Sequence, residues 1–224
     1  MLHDLIPGRP DGTPEDAETY DALLSAQWLA IRDWAAEDPV LTRFHSPSVL
    51  AGWTVGDLLA HLTKSLRVIE AARTETEASP DTLLQYVTRY ADSAEAIAES
   101  TRAVGRDIAA DPLPALDESV ARSLTALRSL QGPVIRTSRG VLPRPDFVIT
   151  RLLELVVHGD DLNRSLPDLP PARLLPEAVS LVAAALTTAY TERTGTQPPP
   201  HDALDWIRTA TGRTPPSAPS LPLL

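Results

Sequence analysis

Residues 147–166, FVITRLLELVVHGDDLNRSL, constrain the fold more than any other part of the chain. Apolar side chains would surround most of a helix formed by this segment, so other parts of the protein must cover most of its surface. The chain has 224 residues, 43% of them hydrophobic, which suffices for a sizeable core in one domain with or without a small appendage. We therefore expect residues 147–166 to form a buried helix.

Helical spacing of apolar residues recurs elsewhere in the chain. Thr54 followed by Asp57 resembles a capping box at a helix start, and Gly195 is a suitable helix stop. Pro112 and Pro114 are expected to close the third helix, which begins after Pro80. The predicted helices cover residues 14–38, 54–75 and 81–110, with further helical segments at 115–130, 177–195 and 198–213.

The segment GPVIRTSRGVLPRPDF, residues 132–147, departs from this pattern. It contains three prolines, two glycines and several β-branched residues, which predict an extended loop or a ragged hairpin. Four long helices with this excursion before the fourth indicate an all-α four-helix bundle with accessory helices. We expect a bundle domain at 1–166, a helical extension at 167–213 and a disordered Pro-rich tail at 214–224.

Composition excludes several classes of function. The chain has 20 basic and 30 acidic residues, a net charge of −10, which argues against a nucleic-acid partner. No apolar run reaches the roughly 18 residues that would predict a membrane span. The N-terminal region lacks the order of a signal peptide, so a cytoplasmic protein is expected. Without cysteine there is no disulfide and no protein thiol, and a thiol needed for catalysis must arrive on a small molecule.

Polar residues of the apolar helix share one face. With a turn of about 100° per residue, Glu154, His158 and Asp161 point in nearly the same direction. A carboxylate and an imidazole four residues apart form half of a common metal site. His61 is a candidate third ligand because it lies among leucines in DLLAHLTKSL, and Asp57 could accept the second N–H of its ring.

Structural explanations of the same residues stay open at this point. Glu154 could form an ion pair with Arg151, and His158 could be a hydrogen-bonded histidine of the core. Asp57 could serve only as a helix cap, and the two aspartates that come after His158 could mark where the helix reaches solvent.

Three segments resemble the mycothiol-dependent maleylpyruvate isomerase family of DinB-like, metal-binding four-helix bundles. SVLAGWTVGDLLAHLTKS resembles its first motif, and TRLLELVVHGDDL resembles its second, Glu-x-x-x-His followed closely by Asp-Leu. Near the C-terminus, ALDWIRTATGR resembles its terminal helix and the Thr-Gly-Arg after it. The resemblance extends over roughly residues 15–213.

The resemblance implies a divalent metal, with zinc expected, held by His61, Glu154 and His158. It implies mycothiol as a low-molecular-weight thiol cofactor, whose thiolate would add to a cis double bond, allow rotation and leave. Arg213 best matches the family's catalytic arginine, with Arg208 as the second choice.

Three basic residues, Arg136, Arg139 and Arg144, cluster just before the metal-binding helix in an otherwise acidic chain. They are candidates for binding carboxylates of a substrate or of the thiol cofactor, although a solvated loop would have the same composition. Three function classes remain: a thiol-dependent isomerase or S-transferase, a metal-dependent hydrolase, and a non-catalytic metal-binding or interaction protein. A small-molecule substrate is expected, and the sequence leaves a homodimer open.

Overall fold

The computed structural model describes residues 14–216 and 218–224, with side chains except at 14–17 and 91–94. Helices predominate, which confirms the predicted all-α class. Within these ranges, every helix is too short or too polar to cross a membrane. The helices are α1 (Pro14–Ala35), α2 (Asp38–Leu41), α3 (Val55–Ala71), α4 (Leu83–Val87), α5 (Ala94–Ile108), α6 (Pro112–Ser129), α7 (Arg144–Ser165), α8 (Pro176–Thr194) and α9 (Ala203–Ala210). The strands are β1 (Arg73–Glu75), β2 (Val134–Thr137) and β3 (Gly140–Pro143), and a 3-10 turn covers Thr88–Ser93.

Four helices, α1, α3, α6 and α7, form a bundle in which each helix contacts two others. Contacts at both ends show that α1 and α7 run in the same direction. Arg144 at the start of α7 pairs with Asp21 near the start of α1, at 2.7 Å. Beyond the other ends, Nε1 of Trp34 donates to the carbonyl oxygen of Pro170 at 2.6 Å.

Helices α3 and α7 are antiparallel. The amide of Val49, before α3, donates to Oγ of Ser165 at the end of α7, at 3.0 Å. One guanidinium nitrogen of Arg151, nearer the start of α7, donates to the carbonyl oxygen of Ser65 in the second half of α3, at 2.7 Å. Later turns of α3 therefore face earlier turns of α7.

The third bundle helix is α6, which corrects the prediction that residues 81–110 form it. That segment is instead divided among α4, the 3-10 turn and α5, and α5 packs on the outside of the bundle against α3. Pro112 and Pro114 do come after the end of α5, but they also lie in the first turn of α6. Proline is tolerated there because the first amide groups of a helix have no partner within the helix.

Of the two structures predicted for the segment before the fourth long helix, an extended loop or a ragged hairpin, the hairpin forms. Strands β2 and β3 pair antiparallel, and β1 adds a third strand next to β2, with Thr74 opposite Ile135. The second predicted helix therefore ends earlier than expected, at Ala71, because the residues after it pair with β2. The sheet joins the end of α3 to the start of α7 and so covers one end of the bundle.

Helix α7 is the most buried helix of the bundle, as the apolar segment predicts. Phe147, Leu152, Leu155 and Val156 have no exposed surface. The helix contacts α1, α3 and α8 together with the sheet. Polar side chains in the buried turns of this helix therefore lie inside the protein, where each needs a partner.

The C-terminal extension packs against the bundle. Helix α8 contacts α1, α4 and α7, and α9 contacts α8. Gly195 ends α8 as predicted, in a left-handed conformation with φ of 72°, which glycine adopts without steric cost.

The segment 214–224 is not the disordered tail predicted from its composition, for the residues described (214–216 and 218–224). Leu221 and Leu223 are buried. The amide of Leu223 donates to the carbonyl oxygen of Ala210 at 2.7 Å, and the guanidinium of Arg193 donates to three carbonyl groups of the segment. Two leucines thus supply apolar burial that the Pro- and Ser-rich composition did not suggest.

Candidate metal centre

Three predicted ligand residues, His61, Glu154 and His158, lie together where α3 packs against α7. Oε2 of Glu154 is 3.2 Å from Nε2 of His61 and 3.5 Å from Nε2 of His158. The centroids of the two imidazole rings are 4.5 Å apart. One ligand atom from each residue lies within 4.8 Å of the others, so small side-chain movements would bring all three to bond lengths of about 2 Å around one ion.

The start of α3 fixes the position of His61 along the helix. The side-chain oxygen of Thr54 accepts from the amide of Asp57 at 3.1 Å, and Oδ2 of Asp57 accepts from the amide of Thr54 at 2.8 Å. The expected hydrogen bond between Asp57 and His61 is absent because the carboxylate serves this capping box. Nδ1 of His61 is buried and has no hydrogen-bond partner in the described part of the chain.

A hydrogen bond to its second ring nitrogen orients His158. Its Nδ1 lies 2.9 Å from Oδ2 of Asp161, which leaves Nε2 facing Glu154. A guanidinium nitrogen of Arg213 donates to the same carboxylate oxygen at 3.0 Å. A carboxylate behind a histidine is the usual way in which proteins orient a metal-binding imidazole.

The aspartates after His158 do not mark an exposed helix end, because Asp160 and Asp161 are both buried. Asp160 accepts two hydrogen bonds from Arg208, at 2.9 and 2.7 Å. This pair attaches α9 to α7. Arg208, the second choice for a catalytic arginine, is therefore bound away from the histidines, whereas Arg213 lines a cavity beside them.

The charges of the cluster favour metal binding at neutral pH. Burial opposes ionisation of Glu154, but hydrogen bonds with His158 and His61 outweigh burial and hold the pKa of Glu154 well below its ordinary value. Burial and the positive charge of His158 lower the pKa of His61. Burial also disfavours charged His158, but hydrogen bonds with Asp161 and Glu154 prevail and raise the pKa of His158. An incoming cation therefore finds an ionised carboxylate, and the raised pKa of His158 means that a proton competes with the cation more strongly at His158 than at His61.

The alternative ion pair between Arg151 and Glu154 does not form. Arg151 is 1% exposed, and its guanidinium donates to the carbonyl oxygen of Ser65, the hydroxyl of Tyr90 and Oγ1 of Thr150, at 2.7, 2.8 and 3.1 Å. Glu154 is left to the two histidines.

The cavity, of about 450 Å³, adjoins the three candidate ligands. Trp53 forms part of its wall, and its ring centroid lies 5.3 Å from that of His61. Among the described residues that line the cavity, Glu154 is the only acidic one. The other lining residues are mostly apolar, but four are basic: Lys64, Arg139, Arg151 and Arg213.

One of the three arginines predicted to bind a substrate or cofactor, Arg139, lines the cavity. The structure does not bring Arg136 and Arg144 to it. Arg136 donates from the surface of the sheet to Glu75 at 2.7 Å, and Arg144 is engaged by Asp21. These three sequence neighbours are separated in space because Arg136 lies in β2, Arg139 lies in the turn between β2 and β3, and Arg144 begins α7.

Sequence reasoning missed two of the basic residues of the cavity. Lys64 lies one helical turn after His61, and Arg151 one turn before Glu154. Burial, together with the charges of two arginines, lowers the pKa of Lys64. Both residues lie one helical turn from a candidate ligand, and this spacing was the available signal. It places the two side chains near each other only once α3 and α7 are known to be antiparallel.

The residues present fit a divalent metal. Two imidazole nitrogens and one carboxylate oxygen are a donor set that zinc accepts, and three protein ligands leave a position for another molecule. The adjoining cavity gives that molecule room.

Comparisons with known proteins identify the family and the fold. Residues 24–163, which include all three candidate ligands, match the family described as mycothiol maleylpyruvate isomerase N-terminal domain. The fold is similar to the crystal structure of the mycothiol-dependent maleylpyruvate isomerase, with a TM-score of 0.55 and 19% sequence identity over 88% of this chain and 90% of that chain. No curated protein matches.

Proposed function

The chain belongs to the family of mycothiol maleylpyruvate isomerase N-terminal domains, and from this premise we propose that it is a metal-dependent enzyme that uses a low-molecular-weight thiol. Mycothiol is the expected thiol, and the reaction is isomerisation of the maleylpyruvate isomerase type or transfer of the thiol to an electrophile. The observation that carries the proposal is the convergence of His61, Glu154 and His158 beside a cavity, in a chain without cysteine.

His61, Glu154 and His158 would hold the metal, with zinc expected from the donor set. A zinc ion supplies positive charge that lowers the pKa of a thiol, so that the thiol reacts as a thiolate at neutral pH. Asp161 would keep Nε2 of His158 directed at such an ion, and Arg213 donates to Asp161.

The cavity residues would position the electrophile. An isomerisation of this type would require addition of the thiolate sulfur to one carbon of an electron-poor cis double bond, with the displaced π electrons moving to a conjugated carbonyl oxygen. Rotation about the new single bond and departure of the thiolate would restore the double bond in the trans form. The basic side chains of the cavity would stabilise the negative charge that develops on oxygen.

A transferase differs from an isomerase only in the step after the addition. If the carbon next to the new bond takes a proton before the sulfur leaves, the adduct is the product. The same residues would serve the addition step of both reactions.

Calorimetric titration tests the role of the thiol. Mycothiol added to the zinc-loaded protein should bind with release of a proton, counted by repeating the titration in buffers of different ionisation enthalpy. An analogue without the sulfhydryl group should bind far more weakly, because it lacks the sulfur that zinc prefers as a ligand. Equal affinity for the two compounds without proton release would refute the proposal and leave a hydrolase or a non-catalytic metal-binding protein.

A further inference from the structure

Lys64 and Arg151 are both at least partly buried and pair with no carboxylate among the described residues. The ammonium group of Lys64 bonds only to neutral groups, the carbonyl oxygen of Ile97 at 3.1 Å and the hydroxyl of Ser100. Arg151 likewise donates only to neutral oxygens. The charge of Arg151 is fully buried and that of Lys64 is partly buried, and a charge withdrawn from solvent without a counter-ion destabilises a fold. Two cations of this kind beside one cavity are therefore suited to an anionic ligand.

The two side chains lie on the same side of the candidate ligands. Lys64 is three residues after His61 on α3, and Arg151 is three residues before Glu154 on α7. Because the two helices are antiparallel, both positions are one turn away from the ligands in the same direction. Both side chains line the same cavity.

The described part of the cavity wall offers them no acidic side chain other than Glu154. Glu154, its only acidic residue among those described, is engaged by the two histidines, and a bound metal would engage it further. Arg151 uses three of its five N–H groups, so two remain for a ligand.

We propose that Lys64 and Arg151 form a carboxylate-binding subsite one helical turn from the metal centre. The planar guanidinium suits a planar carboxylate, and the ammonium adds a second charge from the facing helix. Identification of this carboxylate as part of the substrate rests on the proposed function, but the binding itself does not. The subsite would hold the substrate at one end and leave its other end near the metal.

Succinate is a suitable probe, because it has two carboxylates and no double bond to react. Its affinity for the full-length protein is measured by calorimetry with zinc bound and again after chelation. We expect Lys64→Met to weaken succinate binding about tenfold in both forms, as for loss of a charge-assisted hydrogen bond. Arg67→Met is the matched control, since Arg67 is an exposed cation of the same helix that does not line the cavity. It should weaken binding less than about twofold because solvent screens exposed charges.

A second variant tests the contribution of Arg151 on α7. Arg151→Lys keeps the charge but removes the planar fork and should weaken succinate binding about tenfold, with the folded state checked by thermal unfolding. If this variant does not fold, the comparison of Lys64→Met with Arg67→Met decides alone. Equal weakening by those two variants, or unchanged binding in Lys64→Met, would overturn the subsite. So would succinate binding that disappears on chelation, because the carboxylate would then bind the metal instead.

The outcome is separable from that of the thiol experiment. Succinate contains no sulfur, so binding that depends on Lys64 supports the subsite even if mycothiol does not bind. Conversely, thiol binding with proton release and no succinate site would leave the proposed function standing and remove the subsite.

Discussion

At the scale of residues, the two candidate histidine ligands differ in what holds their rings. Nδ1 of His158 is bonded to Asp161, whereas Nδ1 of His61 has no partner among the described residues. A bond to the second nitrogen fixes both the tautomer and the direction of the ring. His158 is therefore oriented by Asp161, whereas the ring of His61 is oriented by the contact of its Nε2 with Glu154 and by packing against Trp53.

Replacing either histidine by alanine should lower the affinity for Zn²⁺ by at least about a hundredfold, because each removes one of three ligands. The measurement is competition with a chelator, together with metal content by plasma mass spectrometry. His45→Ala is the control, since His45 is exposed and lies outside the site. Full metal retention in either His61→Ala or His158→Ala would show that these residues are not the ligands.

Separate substitutions of Asp160 and Asp161 should distinguish a loss of metal affinity from a loss of stability. Asp161→Asn removes the carboxylate behind His158 and should weaken Zn²⁺ binding by roughly 10–100-fold. Asp160→Asn instead weakens the attachment of α9 through Arg208. It should lower the unfolding temperature and leave the Zn²⁺ affinity within about twofold, because its carboxylate does not contact the ligands. Similar affinity losses in both variants would rule out a specific orienting role for Asp161.

At the scale of elements, Asp81 ties the segment before α4 to the sheet. Its carboxylate accepts from Arg89 at 2.9 Å through each oxygen and from the amide of Val141 at 2.9 Å. The amide of Asp81 also donates to the carbonyl oxygen of Val141 at 2.7 Å. The hydrogen bonds from Arg89 chiefly lower the pKa of Asp81, with a smaller contribution from Val141, against the opposing effect of burial.

This arrangement predicts a pH-dependent stability. Because the pKa of Asp81 is lower in the folded protein than its ordinary value of 3.8, its stabilisation is complete above that value and is lost as the pH falls through the folded pKa. Asp81→Asn should lower the free energy of unfolding by about 1–3 kcal/mol at pH 7, and the difference from wild type should shrink below about pH 4. Urea unfolding at several pH values measures it.

The control for this prediction is Asp33→Asn, which removes an exposed carboxylate of α1. It should change the stability little at any pH, because exposed ion pairs contribute little. A wild-type advantage over Asp81→Asn that stays constant from pH 7 to pH 2 would contradict the assigned role of the Asp81 carboxylate.

At the scale of the whole molecule, the C-terminal extension completes the cavity. Arg213 and Leu224 line it together with residues of α3 and α7. Arg208 and Arg213 attach this region to α7 through Asp160 and Asp161. The extension is thus bound to the turn of α7 that contains Asp161, the residue that orients His158. The packing of the extension is therefore linked to the site.

Leu223→Ala measures what the packed C-terminal segment contributes. The side chain is 2% exposed, so its truncation should lower the free energy of unfolding by about 2–4 kcal/mol. Leu29→Ala, at a position 55% exposed, should cost less than about 0.5 kcal/mol. Equal and small effects of the two substitutions, measured by chemical unfolding, would mean that the segment does not contribute to the folded core.

Local signals determined much of the fold. The spacing of apolar residues predicted α1, α7 and α8, and the capping residues Thr54 and Asp57 predicted the start of α3. A helix turns by a fixed angle per residue, so the common face of Glu154, His158 and Asp161 was evident from the sequence as well. The proline- and glycine-containing segment before α7 predicted an extended loop or a ragged hairpin, and the structure has the hairpin.

Only the tertiary structure decided which helices form the bundle and which side chains share the cavity. Periodicity shows that a helix is amphipathic but not which neighbouring helix covers its apolar face. The sequence therefore could not show that α6, and not α5, is the third helix of the bundle. Lys64 and Arg151 meet in one cavity because α3 and α7 pack antiparallel, a relation between residues 87 positions apart in the sequence. The sequence by itself determined the candidate ligands on α7, because they are neighbours on one helix, whereas long-range packing decided what surrounds them.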